Sequence, residues 1–211
     1  MSKSLFISCL LFYCLQSIAQ YPGFAELKNP EVFKKQLIES TKTTESLQAD
    51  FIQEKSLTML SEKIISTGKF QFVKNDKLRM EYLHPFTYLL ILNGGKIFIK
   101  DGQKENTISA GSNPVLKQVN QILIECLSGN MLDNHDFQPH IYENAVSWLI
   151  EFKPIVKNLK ELYKNINIVL DKKDFTASSI GMYDVSGDKT IIRFQNKVLN
   201  AQIPESLFKI P

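Results

Sequence analysis

From Leu47 onward the apolar residues fall at every second position, and this alternation limits what the chain can fold into more than any other feature. Leu47, Ala49 and Phe51 open the pattern, with Leu57 and Met59 beyond them. It returns at Phe70 and Phe72, at Leu78, Met80 and Tyr82, and at Phe86, Tyr88, Leu90 and Leu92. Successive side chains of a strand point to opposite faces, so a period of two means short strands with one buried face. Asn93-Gly94-Gly95 and Asp101-Gly102 supply the residues of tight hairpin turns between them. The second half repeats the theme at Val146, Trp148, Ile150 and Phe152, at Ile166, Ile168 and Leu170, around Ile180 and Met182, and at Thr190, Ile192 and Phe194.

Two segments follow helical spacing instead. Asn29-Pro30-Glu31 combines a capping side chain, a proline for the first turn and an early carboxylate, after which Phe33 and Leu37 share one face. Asn113-Pro114 opens a second helix in which Leu116, Val119, Leu123 and Leu127 recur at three- and four-residue intervals until Gly129 stops it. The pattern predicts a mainly β (α+β) domain of about nine to eleven antiparallel strands, with one helix at its start and one in its middle. A length of 211 residues suits a single domain, and 44% hydrophobic against 22% charged residues excludes a disordered chain. The formal charge of +3 is not clustered, which argues against a nucleic-acid partner.

Residues 1–19 differ from all that follows. Lys3 precedes an apolar run from Leu5 to Leu15, and Ser17-Ile18-Ala19 places small residues where a signal peptidase needs them. The run is about half the roughly 20 residues a membrane-spanning helix requires. Residues 1–19 are therefore expected to be a signal peptide, leaving a mature domain of 20–211 that is soluble, periplasmic and monomeric. Cys9 and Cys14 leave with that segment, so Cys126 remains alone and no intramolecular disulfide can form.

The sequence carries no recognisable catalytic set. His135 and His140, near Asp133 and Asp136, have a loop composition without a register to converge them on a metal. Ser128-Gly129 and Ser186-Gly187 lack the flanks of a nucleophile elbow, and His84 precedes Pro85 at a strand end. The chain has instead apolar strand faces that can form one concave surface, with amphipathic helices to cover it. Periodicity alone leaves two readings open: a helix plugging an ordinary core, or a pocket for an apolar ligand.

Leu47-Gln48-Ala49-Asp50-Phe51-Ile52-Gln53, then Gly68-Lys69-Phe70-Gln71-Phe72-Val73-Lys74, then Lys77-Leu78-Arg79-Met80-Glu81-Tyr82-Leu83-His84-Pro85 resemble the opening strands of the LolA-type periplasmic outer-membrane lipoprotein carriers. The hydrophobic strand and turn at 88–95, Phe194-Gln195-Asn196, and Asn200 to Phe208 continue the resemblance. It implies an incomplete antiparallel β-barrel with helices over its concave face, enclosing a hydrophobic cavity for the acyl chains of lipoproteins. It further implies an inner-membrane ABC-type releasing complex as donor, an outer-membrane acceptor, and neither cofactor nor metal. Phe51, Phe70, Phe72, Leu78 and Met80 would then line the cavity, together with Tyr82, Tyr88, Leu90, Trp148 and Ile150. Leu116, Val119 and Leu123 would belong to a lid helix. The family's Arg-Pro-x-x-Phe-Arg-Trp-Glu-Tyr pattern falls here on Lys74, Asn75, Leu78, Arg79, Met80, Glu81 and Tyr82, so Lys74 takes the place of the lid-contacting arginine. Lys74 keeps the charge but not the planar fork. The departures at Leu78 and Met80 keep open a cargo such as a glycolipid or a lipid-linked precursor. A lipid-acting envelope enzyme and a purely structural domain are the readings from other classes.

Overall fold

The computed structural model describes residues 20–109, 125 and 131–211. A two-residue strand, β1 (Ala25–Glu26), leads into α1 (Pro30–Lys42). Six strands follow as a meander: β2 (Ser46–Ser56), β3 (Ile64–Val73), β4 (Lys77–His84), β5 (Tyr88–Asn93), β6 (Lys96–Asp101) and β7 (Lys104–Ser109). After a single turn of 3-10 helix at Met131–Asp133 come β8 (Phe137–Glu143) and β9 (Ser147–Pro154). The short helix α2 (Lys157–Lys160) then precedes β10 (Tyr163–Asp171), β11 (Ala177–Asp184) and β12 (Lys189–Leu199).

These twelve strands form one antiparallel sheet in the order β1-β8-β9-β10-β11-β12-β2-β3-β4-β5-β6-β7. Among the described residues the two ends of the order do not pair, so the barrel into which the sheet curls is open. The long pairing of β12 with β2 joins the two meanders, with Phe194 opposite Phe51. The strand count exceeds the upper expectation by one because β1 has only two residues and β7, Lys-Glu-Asn-Thr-Ile-Ser, shows little apolar alternation. Gly94 and Gly95 both have positive φ, as the two-residue turn between β5 and β6 requires.

Three details depart from the sequence pattern. Met59, Phe86 and Val146 extend the alternation on paper, yet β2 stops at Ser56, β5 starts at Tyr88 and β9 starts at Ser147, leaving all three exposed in turns. Asn29 precedes α1 as expected and Pro30 occupies its first turn, but the Asn29 side chain makes no capping hydrogen bond. The predicted helix beginning at Asn113, and with it Leu116, Val119 and Leu123, lies outside the described residues.

The sheet has two apolar faces. The concave face holds most of the core, and α1 lies on it through Phe33 and Leu37. On the convex face Ile91 and Phe98 are covered by Phe208 from a 3-10 turn at Glu205–Phe208. That C-terminal strap is fixed by Arg79 Nη1 donating to the Leu207 carbonyl (3.3 Å), Asn93 Nδ2 donating to the Phe208 carbonyl (3.0 Å) and an ion pair of Lys77 with Glu205 (2.7 Å). Near the other edge, residues 20–24 cross the same back, where the Tyr21 hydroxyl donates to the buried carboxylate of Glu151 (2.7 Å).

Candidate functional site: the concave face

The register of the strands sorts the concave side chains into rows. Ile141, Ile150, Ile168, Ile180 and Ile192 pair in turn from β8 to β12, a continuous ridge of branched aliphatic side chains across half the barrel. In the other half, Phe72, Leu78, Leu92 and Ile97 form one row from β3 to β6, and Ala49, Phe70, Met80 and Leu90 form the next from β2 to β5. A third row is aromatic: Phe51 packs edge-on against Tyr82 (4.8 Å between ring centres), and Tyr82 against Tyr88 (5.5 Å). Phe70 and Phe194 meet the same way across the seam of the two halves (5.1 Å).

The aromatic row depends on a missing side chain. Gly68 sits between Phe51 and Tyr82 in the pairing, and a Cβ placed there would lie 2.0 Å from the Glu81 carbonyl oxygen and 2.6 Å from Cζ of Phe51. The Phe51 ring therefore lies over the bare backbone of Gly68, an arrangement that only glycine permits.

One polar link crosses this surface. The Tyr82 hydroxyl donates to Oε1 of Gln53 at 2.9 Å, satisfying a phenol held among rings. Burial, reinforced by the neighbouring Tyr88, pushes the Tyr82 phenol up to about 12, so it is a neutral donor throughout the physiological range.

Helix α1 covers the β8–β12 half. Phe33 packs against Trp148 (4.9 Å), which also meets Phe175 (4.6 Å) and has the Lys172 ammonium 5.3 Å from its ring centre. Towards the end of α1, Ser40 and Thr41 face Phe70, Ile180 and Phe194 across a cavity of only about 20 Å³. That space admits roughly one water molecule, so an acyl chain reaches this part of the face only if α1 or its side chains move.

The connection from α1 to β2 is clamped from two sides. Lys74 Nζ donates to the Lys42 carbonyl (3.3 Å) and to the Glu45 carboxylate (2.8 Å). Asn200, with φ near 55°, donates through Nδ2 to the Thr43 carbonyl (3.1 Å) and accepts from the Glu45 N–H (2.8 Å). The cation thus sits at the C-terminal end of the helix, where its dipole favours positive charge.

All ten of the expected cavity residues fall in a single concave cluster. Phe51, Phe70, Phe72, Leu78, Met80, Leu90, Trp148 and Ile150 are buried there, and Tyr82 and Tyr88 are partly buried against it. Sequence reasoning passed over Phe33 and Leu37 as parts of the site, although their four-residue spacing was legible, and it left out Phe194 and, apart from Ile150, the isoleucine ridge. Phe175 gave no signal of its own, and Asn200 stood out only as part of the resemblance over 200–208, without a role. Among the described residues no group of His, Cys, Asp and Glu could hold a metal ion.

The family model described as outer membrane lipoprotein carrier protein LolA matches residues 42–211. A comparison with curated protein sequences finds no match. Among solved structures, an uncharacterized conserved protein from Thermus thermophilus superimposes with a TM-score of 0.54 at 8% identity, over 87% of this chain and 95% of that one. A chain of the Pseudomonas aeruginosa MucA/MucB complex gives 0.50 at 14% identity over 84% of this chain, which spans 59% of that chain. A LolA superfamily protein from Nitrosomonas europaea gives 0.44 at 10% identity, covering 84% of this chain and 97% of that one. At such identities the structural likeness is one of fold. With strand order, apolar concave face and the match over residues 42–211 in agreement, the chain belongs to the LolA family of outer membrane lipoprotein carrier proteins.

Proposed function

We propose that this chain is a periplasmic carrier that holds the acyl chains of lipoproteins against its concave face and moves them from the inner to the outer membrane. The observation that carries the reading is the continuous apolar lining of an open barrel, made of aliphatic and aromatic rows and covered by a helix whose buried side chains are Phe33 and Leu37. An acyl chain needs such a surface and little else, since each methylene removed from water contributes roughly 0.8 kcal/mol. Residues 1–19 act as the signal peptide that delivers the chain, Leu116, Val119 and Leu123 complete the lid, and Lys74 is a latch on the end of α1. The partners are an ABC-type releasing complex in the inner membrane and an acceptor in the outer membrane, and the protein works as a binding protein rather than an enzyme.

A second reading, a carrier of another amphiphile such as a glycolipid or lipid-linked precursor, is favoured by Leu78 and Met80, which stand where the family pattern has two aromatics. Unbranched and aliphatic side chains make a more adaptable wall. Mass spectrometry of lipid extracted from protein purified from the periplasm tests both. Triacylated lipoprotein is the expected finding; a single glycolipid species would replace the first reading by the second, and extraction of no lipid at all, with no uptake of a fluorescent fatty acid, would overturn both.

A further inference from the structure

Nine of the twelve exposed large apolar residues among those described lie at one end of the barrel. Strand register sets this end: Ser56 pairs with Lys189, Thr67 with His84, Tyr88 with Asp101 and Phe137 with Pro154, so the turns 57–63, 85–87, 102–103, 155–162 and 185–188 share one rim. Met59 is 94% exposed and Phe86 is 75% exposed, and Leu60, Leu83, Ile155 and Val185 accompany them. The turns are held side by side. Thr58 donates to the Asp188 carboxylate through both its N–H (2.8 Å) and its hydroxyl (2.9 Å), and the Val185 N–H donates to the Leu162 carbonyl (3.0 Å).

We propose that this rim docks on the surface of an anionic phospholipid bilayer, with Met59 and Phe86 inserting between headgroups. The apolar side chains are spread around the rim over turns and strand ends, with Met59 and Leu60 on one, Leu83 and Phe86 on another, Ile155 and Leu162 on a third and Val185 on a fourth, a distribution that a fluid interface accommodates without a complementary partner surface. Charge supports the same occupant. The positive charge is local: Glu62 offsets Lys63 in the turn 57–63 and the turn 185–188 adds Asp188, but the connection 155–164 carries Lys157, Lys160 and Lys164 against Glu161, so lysines flank Ile155 and Leu162 where this side of the rim would meet lipid phosphates. Beside Phe86 a groove of about 180 Å³ is lined by Tyr82, Leu83, Thr87 and Tyr88 together with the charged Glu81 and Lys100. The two tyrosines also pack against the concave core, so the proposed membrane edge and the proposed acyl site share residues. The inference extends the carrier reading by naming where the protein meets a membrane, and it is testable without cargo.

The test is flotation of the purified mature chain with vesicles of phosphatidylethanolamine and phosphatidylglycerol, compared with phosphatidylcholine alone. Binding to the anionic vesicles is expected, and the doubly substituted Met59→Ser, Phe86→Ser protein should lose about tenfold or more of it. Both side chains face solvent, so its unfolding temperature should match the parent's. Lys157→Glu with Lys160→Glu should weaken binding to the anionic vesicles and leave the residual phosphatidylcholine binding alone. Failure of the parent chain to float with anionic vesicles, or equal flotation of the Met59→Ser, Phe86→Ser variant, overturns the proposal, and so does a parent chain that ignores vesicles while binding a membrane protein through this rim. Fluorescent fatty-acid uptake, measured in parallel and expected to be unchanged by the rim substitutions, reports separately on the carrier reading.

Discussion

Phe33→Ala separates a helix that covers a ligand site from one that merely completes a core. The Phe33 ring is 2% exposed and its centre lies 4.9 Å from that of Trp148. Truncating a buried phenylalanine to alanine costs about 3–5 kcal/mol, and a helix resting on a sheet can settle into part of the space, which favours about 3. A domain with a stability of roughly 5–15 kcal/mol stays folded under that loss. If an acyl chain takes the place of the ring against Trp148, the loaded protein does not feel the truncation, and the lost stability returns as affinity. At 1.4 kcal/mol per factor of ten, the gain is at most about 100-fold. Trp148 is the only tryptophan in the sequence, so its fluorescence reports the event directly. Urea unfolding gives the stability loss, and titration with a long-chain fatty acid, followed at Trp148, gives the affinity. A variant less stable by about 3 kcal/mol that binds no tighter than the parent would refute the reasoning, because the ring would then stay on Trp148 in both states.

Four further outcomes follow from the same geometry. Leu78→Glu is expected to remain folded but fail to take up fatty acid, and its stability deficit should shrink as pH falls, because a buried carboxylate has a raised pKa and is relieved by protonation; a deficit independent of pH in urea titrations would mean that the side chain reaches water. Gly68→Ala should cost at least about 1–3 kcal/mol by thermal unfolding, since the new Cβ meets a backbone carbonyl that cannot rotate away, and combining it with Phe51→Leu should restore little. Lys74→Leu removes half-exposed contacts worth about 0–1 kcal/mol, so stability should scarcely change while release of bound lipid to acceptor vesicles slows; parental release kinetics would leave Lys74 as an ordinary strand-end lysine. Burial, with repulsion from Asp188, raises the Asp184 carboxyl above its ordinary value, so its ionised form opposes folding at neutral pH; Asp184→Asn should raise the unfolding temperature at pH 7, with the gain fading as pH falls into the range where Asp184 itself is protonated.

Much of this architecture was legible because a sheet with one buried face writes its period into the chain. Phe70 and Phe72, or Leu78 and Met80, alternate with polar residues and all four are buried on the concave side. The same signal misleads at strand ends. Met59 and Phe86 keep the alternation but lie past the last paired residue, and nothing local distinguishes an apolar side chain buried on a face from one exposed on a turn. β5 was less clear for a different reason: Leu89 and Ile91 are apolar as well as Leu90 and Leu92, because the strand is covered on both sides. That continuous run hinted at a second layer, and its source, Phe208, is remote in sequence. The clamp at Asn200 was hidden in the same way, since its partners Thr43 and Glu45 lie more than 150 positions away and only the pairing of β12 with β2 brings them together.

How the face could open follows from what holds α1 at each end. Before the helix, β1 pairs with β8 and the Leu27 N–H donates to the Ile141 carbonyl (2.9 Å); after it, Asn200 and Lys74 hold residues 42–45. A helix tied at both ends cannot swing clear like a hinged flap, and the free segments on either side are short. Its hold on the sheet between those ties is apolar, with Phe33 and Leu37 contributing about 1.5–3 kcal/mol each on burial. A dozen methylenes entering the same surface contribute roughly 10 kcal/mol, enough to displace both side chains and still bind. The least costly route is therefore a tilt or slide of α1 with its ties intact, in which the two side chains leave the face and pliant residues such as Met80 repack around the acyl chain. On the proposed carrier reading such a cover would return when the chain departs, loading and release would differ by a few large side chains, and the backbone of the sheet, braced behind by Arg79, Asn93 and the C-terminal strap, would stay unchanged.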